Sequence, residues 1–228
     1  MFNLDTLCIL LLFVIVIIPA KAQEYPLLYE NDFEAEQGAL DFEFTDPGVW
    51  KINDSLGNKS LDLIGLSNYK LPVSSPYNIA ILKKVKVSNF ILEARIKQTG
   101  REYPHRDLCI FFAIKDPSNY YYLHIASEAD PNSHNIFLVN DEPQKAIASK
   151  TNSGIIWGDD WHQVRIEHLV KTGSIKVYFD DMENPIMEAK DDHFSFGYVG
   201  FGSFDDVGKF DNIKIWGDSF NDSPHFFR

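Results

Sequence analysis

The last third of the chain leaves no room for helix. It reads as four short runs: Trp161-His162-Gln163-Val164-Arg165-Ile166-Glu167, Ser174-Ile175-Lys176-Val177-Tyr178-Phe179-Asp180-Asp181, Tyr198-Val199-Gly200-Phe201-Gly202-Ser203-Phe204 and Phe210-Asp211-Asn212-Ile213-Lys214-Ile215-Trp216-Gly217. Each is rich in β-branched and aromatic side chains and is bounded by Gly, Asp or Asn, which is strand chemistry closed by turn chemistry. The pattern continues upstream. From Asn89 to Gln98, Phe90, Leu92, Ala94 and Ile96 share one face, and Ile91, Glu93, Arg95 and Lys97 share the other. Leu108 to Ile114 is almost wholly apolar, as a strand buried on both faces would be. Asp116-Pro117-Ser118-Asn119 turns it into a second strand, Tyr120 to Ala126, and Asn135 to Val139 follows after Asp130-Pro131-Asn132-Ser133. Turn signals at intervals of about ten residues predict an all-β sandwich or barrel. The first strand, Tyr29 to Glu34, and the last, Phe210 to Trp216, are expected to pair and so protect both ends.

The first 22 residues read as a cleaved secretory signal. The apolar run Leu7 to Ile18 is shorter than the ~20 residues that span a bilayer, and Ala20-Lys21-Ala22 supplies a small-x-small cleavage site. The remaining 23–228 suits one all-β domain, destined for a secreted or periplasmic setting, with no membrane insertion after cleavage. Asp5 and Lys21 cancel, so the net charge of −12 belongs to the mature chain. Such an acidic surface argues against nucleic acid, which requires a basic footprint. Only Cys109 remains after cleavage, so a disulfide within the mature chain is excluded and apolar residues, among the 18 Phe and 10 Tyr of the whole chain, must supply the core. Cys109, between Leu108 and Ile110, reads as a small buried hydrophobe. Asn53-Asp54-Ser55, Asn58-Lys59-Ser60 and Asn221-Asp222-Ser223 fit the glycosylation sequon.

Several segments carry a resemblance. Asn31-Asp32-Phe33-Glu34 with Trp50-Lys51-Ile52, then Asp116-Pro117-Ser118-Asn119-Tyr120-Tyr121-Tyr122-Leu123-His124, then Trp161-His162-Gln163-Val164-Arg165 and Gly200-Phe201-Gly202 to Phe210-Asp211-Asn212-Ile213 are similar to concanavalin A-like, laminin-G-like jelly rolls. Within that superfamily the chain most resembles the secreted 3-keto-disaccharide hydrolase-like domains. The resemblance implies a two-sheet antiparallel jelly-roll sandwich, acting as a monomer on an oligo- or polysaccharide. It leaves three activities open: saccharide hydrolysis, a non-catalytic glycan-binding module, and a laminin-G-like adhesion domain.

The candidate site follows from parity. If Leu123 and Ile125 enter the core, Tyr120, Tyr122 and His124 point the other way together. Phenols and an imidazole in a row suit a sugar surface, and His124 with Tyr122 would be the acid–base pair of an enzyme. Glu93, Arg95, Arg165 and Glu167 also avoid the core and would wall the same concave groove; a plain solvated sheet face is the competing reading. The loop Arg101-Glu102-Tyr103-Pro104-His105-Arg106-Asp107 offers His105 and Arg106 as further ligand contacts, with a plain polar connection as the alternative, and His134 either joins them or, the stronger expectation, stands in an exposed turn. Trp157 reads as the most accessible tryptophan. Glu30-Asn31-Asp32-Phe33-Glu34 matches a Glu-x-Asp-x-Glu pattern that resembles the catalytic strand of family-16 glycoside hydrolases, but it opens the mature chain, where an outer strand is expected. Asp32 and Asp211, near Asp205 and Asp206, would hold a structural calcium ion as the superfamily often does; an Asp-rich turn is the alternative.

Overall fold

The computed structural model describes residues 25–35 and 37–219. The segment expected to be a secretory signal and the sequon at Asn221 lie outside the described residues. Fifteen strands follow one another: β1 Leu27–Asn31, β2 Phe42–Phe44, β3 Trp50–Asp54, β4 Lys59–Leu63, β5 Asn78–Gln98, β6 Asp107–Asp116, β7 Asn119–Ala126, β8 Asn135–Asn140, β9 Lys145–Ala146, β10 Ala148–Thr151, β11 His162–Leu169, β12 Ser174–Phe179, β13 Met187–Lys190, β14 Gly197–Ser203 and β15 Gly208–Ser219. Every pairing is antiparallel.

β5 makes two layers out of one continuous sheet. Its first residues, Asn78 to Leu82, lie between β2 and β14, and from β14 the layer continues through β6, β7, β8 and β9. Its later residues, Phe90 to Gln98, lie between β15 and β11, followed by β12, β13 and β10. The other edge of β15 carries β4 and β1, so the terminal strands pair as expected, through Leu27–Trp216 and Asn31–Ile213. β1 ends at Asn31, two residues before a Phe33 at φ 57°, so Glu30, Asp32 and Glu34 do not share one strand face. Glu30 pairs with Lys214, and Glu34 accepts from the Lys59 amide, which leaves the Glu-x-Asp-x-Glu pattern as edge structure.

Alternation sorts the side chains as anticipated. Leu92, Ala94, Ile96, Val164 and Ile166 of one layer meet Leu108, Ile110, Phe112, Tyr121, Leu123 and Ile125 of the other in the main core. The outer face of the first layer is also buried. Ile79, Ile81, Cys109, Phe111, Tyr120, Tyr122 and Phe137 form a second apolar cluster there, with Val73 packed over it. The segment carrying Val73 is tied down at Ser67, whose amide donates to Asn78, and at Ser74, whose carbonyl accepts from the Gln144 amide. β6 is therefore buried on both faces, as its composition indicates. At its far end Ala113 adopts φ 51° and shifts the register against β14.

Candidate functional site

Loops from one end of the sandwich enclose a cleft of about 370 Å³, at the low end of the ~300–1,000 Å³ common for ligand sites. Tyr103 and His105 come from the loop before β6, Asn132 from the turn before β8, Gln144 from the turn after it, and Phe204 and Asp205 from the turn between β14 and β15. Ser74 of the covering segment closes one side, and His124 of β7 forms the floor. Phe204 packs edge-to-face on Tyr77 and at a tilt against His124, with ring centroids 6.1 and 6.4 Å away.

The walls are held from beneath. Asn78 donates to Ser203 Oγ and the Phe204 carbonyl, and Ser203 Oγ both donates to the Asp206 carbonyl and accepts from its amide. The Phe204 amide donates to Asp107 Oδ2 at 3.1 Å, and the Asp107 amide donates to Asp206 Oδ2 at 2.9 Å. Tyr103 donates its hydroxyl to the same Asp206 oxygen at 2.5 Å. His105 Nε2 lies 2.6 Å from Asp130 Oδ2, which fixes the rim imidazole. Asp107, buried completely, also accepts from the Cys109 thiol at 3.2 Å.

This packing concentrates negative charge where water is scarce. Burial pushes the Asp206 carboxyl up to about 6, and the Asp107 charge adds to that, against the opposing bonds from Tyr103 and the Asp107 amide. Burial, then the bond to Asp206, drives the Tyr103 phenol up as well. Burial and Asp107 push the Cys109 thiol well above its usual range, so it rests as a thiol. Perturbed groups that converge beneath a cleft mark it as the candidate site.

The residues anticipated for a single groove are divided between two surfaces. Tyr120, Tyr122 and His124 do point away from the main core, but the covering segment and Gln144 bury them at 1%, 0% and 4% exposure. Tyr122, fully buried, donates its hydroxyl to Gln144 Oε1 at 2.6 Å, so its proton is engaged away from any ligand, and burial raises its phenol pKa. Only His124 of the three reaches the cleft. Glu93, Arg95, Arg165 and Glu167 also avoid the core, but they belong to the second layer and face outward on the opposite side of the sandwich. There Arg165 clamps Glu93 at 2.6 and 2.8 Å, and Tyr178 donates to Glu167. Arg95 lies over the Trp161 ring, 5.3 Å from its centroid, beside a shallow hollow of about 400 Å³. That hollow is slightly the larger, yet its lining lacks the buried, converging titratable groups of the cleft.

His105 stands at the rim as expected. Arg106 does not: only 2% exposed, it donates to Gln98 Oε1 at 2.5 Å, to Glu102 and to the Gln98 carbonyl, and locks the loop. Trp157 is buried beside it and donates to the Arg106 carbonyl, so it is not an accessible platform. His134 is fully buried rather than in an exposed turn, its Nδ1 accepting from Ala126 and its other nitrogen held by Asn152. Asp211 is buried, its oxygens engaged by Asn58 and Asn212, with burial first and Asp32 among the charges that raise its pKa. Neither Asp32 nor Asp211 joins a group of three metal-competent side chains among the described residues; those groups are Asp107–Cys109–His124 and Asp107–Asp205–Asp206. Sequence reasoning missed Ser74, Asn132, Gln144 and Phe204, each on a turn whose only signal is its Pro, Asn, Asp or Ser content.

Comparison with known proteins places this architecture. The profile of the family described as "Farnesoic acid 0-methyl transferase" matches residues 107–214, from β6 into β15. A search of curated protein sequences gave no match. Three solved structures align over most of their length. The carbohydrate-binding module CBM66 from Bacillus subtilis is 17% identical with a TM-score of 0.55, over 78% of this chain and 96% of that one. A putative glycosyl hydrolase from Parabacteroides distasonis is 14% identical with a TM-score of 0.54, over 83% and 100%. The lectin UEA-II, complexed with galactose, is 12% identical with a TM-score of 0.52, over 82% and 97%. The chain therefore has the lectin-like jelly-roll fold, all-β and antiparallel.

Proposed function

We propose that this chain is a secreted saccharide-binding protein whose ligand occupies the cleft above His124. The observation that carries the reading is the cleft itself: a pre-formed hollow with an aromatic edge at Tyr103 and Phe204, neutral hydrogen-bonding groups at Ser74, Asn132 and Gln144, and a carboxylate at Asp205. Ring faces suit the apolar C–H patches of a pyranose, and amides and carboxylates suit its hydroxyls. The fold supports the reading, since a carbohydrate-binding module, a galactose-bound lectin and a putative glycosyl hydrolase share it. Secretion rests on the apolar run Leu7 to Ile18.

The test is a glycan array followed by calorimetry on the binder found. Asn132→Ala and Phe204→Ala should each weaken binding by about tenfold, the loss of roughly one good polar or stacking contact. Binding that survives both, and is lost instead in Trp161→Ala, would move the site to the opposite face. An array with no binder would sink the saccharide reading and favour adhesion to protein.

Hydrolysis of a glycoside, including a 3-keto-disaccharide, is the second reading. It is favoured by the carboxylates of Asp205 and Asp206, whose nearer oxygens lie within 4.8 Å of one another. Retaining glycosidases use two carboxyl groups about 5 Å apart. Turnover of a 3-keto-glycoside that persists unchanged in both Asp205→Asn and Asp206→Asn would remove it.

A further inference from the structure

Asp107 and Cys109 are two residues apart on β6 and so share its outer face, while His124 is the register partner of Cys109 on β7. Strand pairing alone thus brings a carboxylate, a sulfur and an imidazole to one point. Their donor atoms all lie within 4.8 Å of one another, with Cys109 Sγ and His124 Nε2 each 3.2 Å from Asp107 Oδ2. The His124 approach lacks hydrogen-bond alignment: both of its ring nitrogens, and Asp107 Oδ1, are buried without a hydrogen-bond partner among the described residues. His124 is 4% exposed and Asp107 0%. Buried polar atoms left in this state are uncommon, because each forfeits hydration without compensation.

We propose that Asp107, Cys109 and His124 bind a divalent first-row transition ion with the chemistry of Zn2+, its remaining position open to the cleft. A tetrahedral ion with bonds of ~2.0–2.3 Å sets neighbouring donors about 3.3–3.6 Å apart, so the two 3.2 Å separations from Asp107 Oδ2 need little adjustment, and the Cys109 and His124 atoms, within 4.8 Å, need at most a small approach. A mixed nitrogen, oxygen and sulfur set selects zinc-class ions over Ca2+ or Mg2+, which prefer oxygen alone. Three protein ligands leave a fourth position, and His124 lines the cleft from which a water or ligand oxygen would fill it. On binding, the Cys109 S–H bond breaks, the sulfur's electron pair goes to the ion, and the proton leaves to solvent. The assignment does not depend on the cleft holding a saccharide.

The probe is Co2+ titrated into the full chain after chelator dialysis, with Zn2+ competition. One equivalent is expected, showing a thiolate-to-cobalt absorption band and a tetrahedral d–d spectrum, both displaced by Zn2+. Cys109→Ser should abolish the thiolate band, and Cys109→Ser and His124→Ala should each weaken binding by more than about tenfold. Asp205→Asn should retain the band. A wild-type spectrum with no thiolate band overturns the proposal by itself, even if the variants fail to fold. Retention of Ca2+ that is lost in Asp205→Asn also overturns it, by placing the ion at the all-oxygen group Asp107–Asp205–Asp206.

Discussion

Acidification from about pH 7 to about pH 4.5 should cost the fold about 2 kcal/mol through His168 alone. His168 is 1% exposed on β11, caged by Phe90, Phe112 and Tyr121 with ring centroids 5.6, 5.6 and 6.1 Å away. Its Nδ1 has no hydrogen-bond partner among the described residues. Burial lowers its pKa to about 4, against smaller opposing contributions from the Ser88 backbone and Asp191. An unfolded histidine takes up its proton below about pH 6.5, whereas this one does so only below about 4 in the fold. Between those values the unfolded chain binds more protons, so stability falls as pH falls. The linkage integral over the stated range gives the about 2 kcal/mol, essentially all of it incurred below neutrality. Urea unfolding of the wild type and His168→Leu at both pH values isolates the effect, because other acid-titrating groups, including His134 with its pKa also lowered to about 4, remain in both. The variant should lose about 2 kcal/mol less than the wild type across the range. Equal losses, or an NMR titration of His168 near its ordinary pKa, would refute the reasoning.

Other expectations concern packing and the division between the two faces. Gly202→Ala should cost more than about 3 kcal/mol in urea unfolding, because a Cβ there would sit 1.7 Å from the Asn78 carbonyl oxygen. Arg106→Ala should destabilise by about 3 kcal/mol, since it strips buried Gln98 and the Gly158 carbonyl of their guanidinium partner, while the Trp157 bond to the residue-106 carbonyl stays. Tyr122→Phe should cost about 1 kcal/mol, the worth of its bond to Gln144, and leave any glycoside turnover intact, in contrast to an acid–base role. Arg95→Ala should leave both stability and saccharide affinity within about 0.5 kcal/mol of wild type, because it faces solvent on the opposite surface.

Much of the fold was legible along the chain. The turns at Asp116–Asn119 and Asp130–Ser133 and the apolar strand at Leu108–Ile114 follow from local residue chemistry, whereas the pairing of the ends, expected from what sandwiches commonly do, is a long-range contact. β5 was only half legible. The alternation from Asn89 onward is clear, but Asn78 to Leu82, which belongs to the other layer, is a short apolar run that periodicity does not assign. The site was legible in part: His105 and His124 line one cleft, and Tyr103 and His105 of the loop from Arg101 to Asp107 stand along it. Arg106 and His134 look like surface groups in sequence because nothing local announces that Gln98 and Asn152 will enclose their polar atoms.

Parity is a local property. The tetrahedral backbone alone ensures that Tyr120, Tyr122 and His124 turn away from Leu123 and Ile125, and that Arg95 and Arg165 turn away from Ala94 and Ile166. Which of those outward faces stays wet, and whether two of them coincide, depends on where distant segments come to rest. Tertiary structure laid residues around Val73 and Gln144 over the tyrosines and carried the arginines to the far layer, because the long strand β5 passes from one sheet into the other. The sequence by itself thus determined most of the long strands, their inward faces and the all-β class; only the folded chain decided that His124, with Asp107 and Cys109 buried beside it, rather than the guanidinium groups, forms the floor of the cleft.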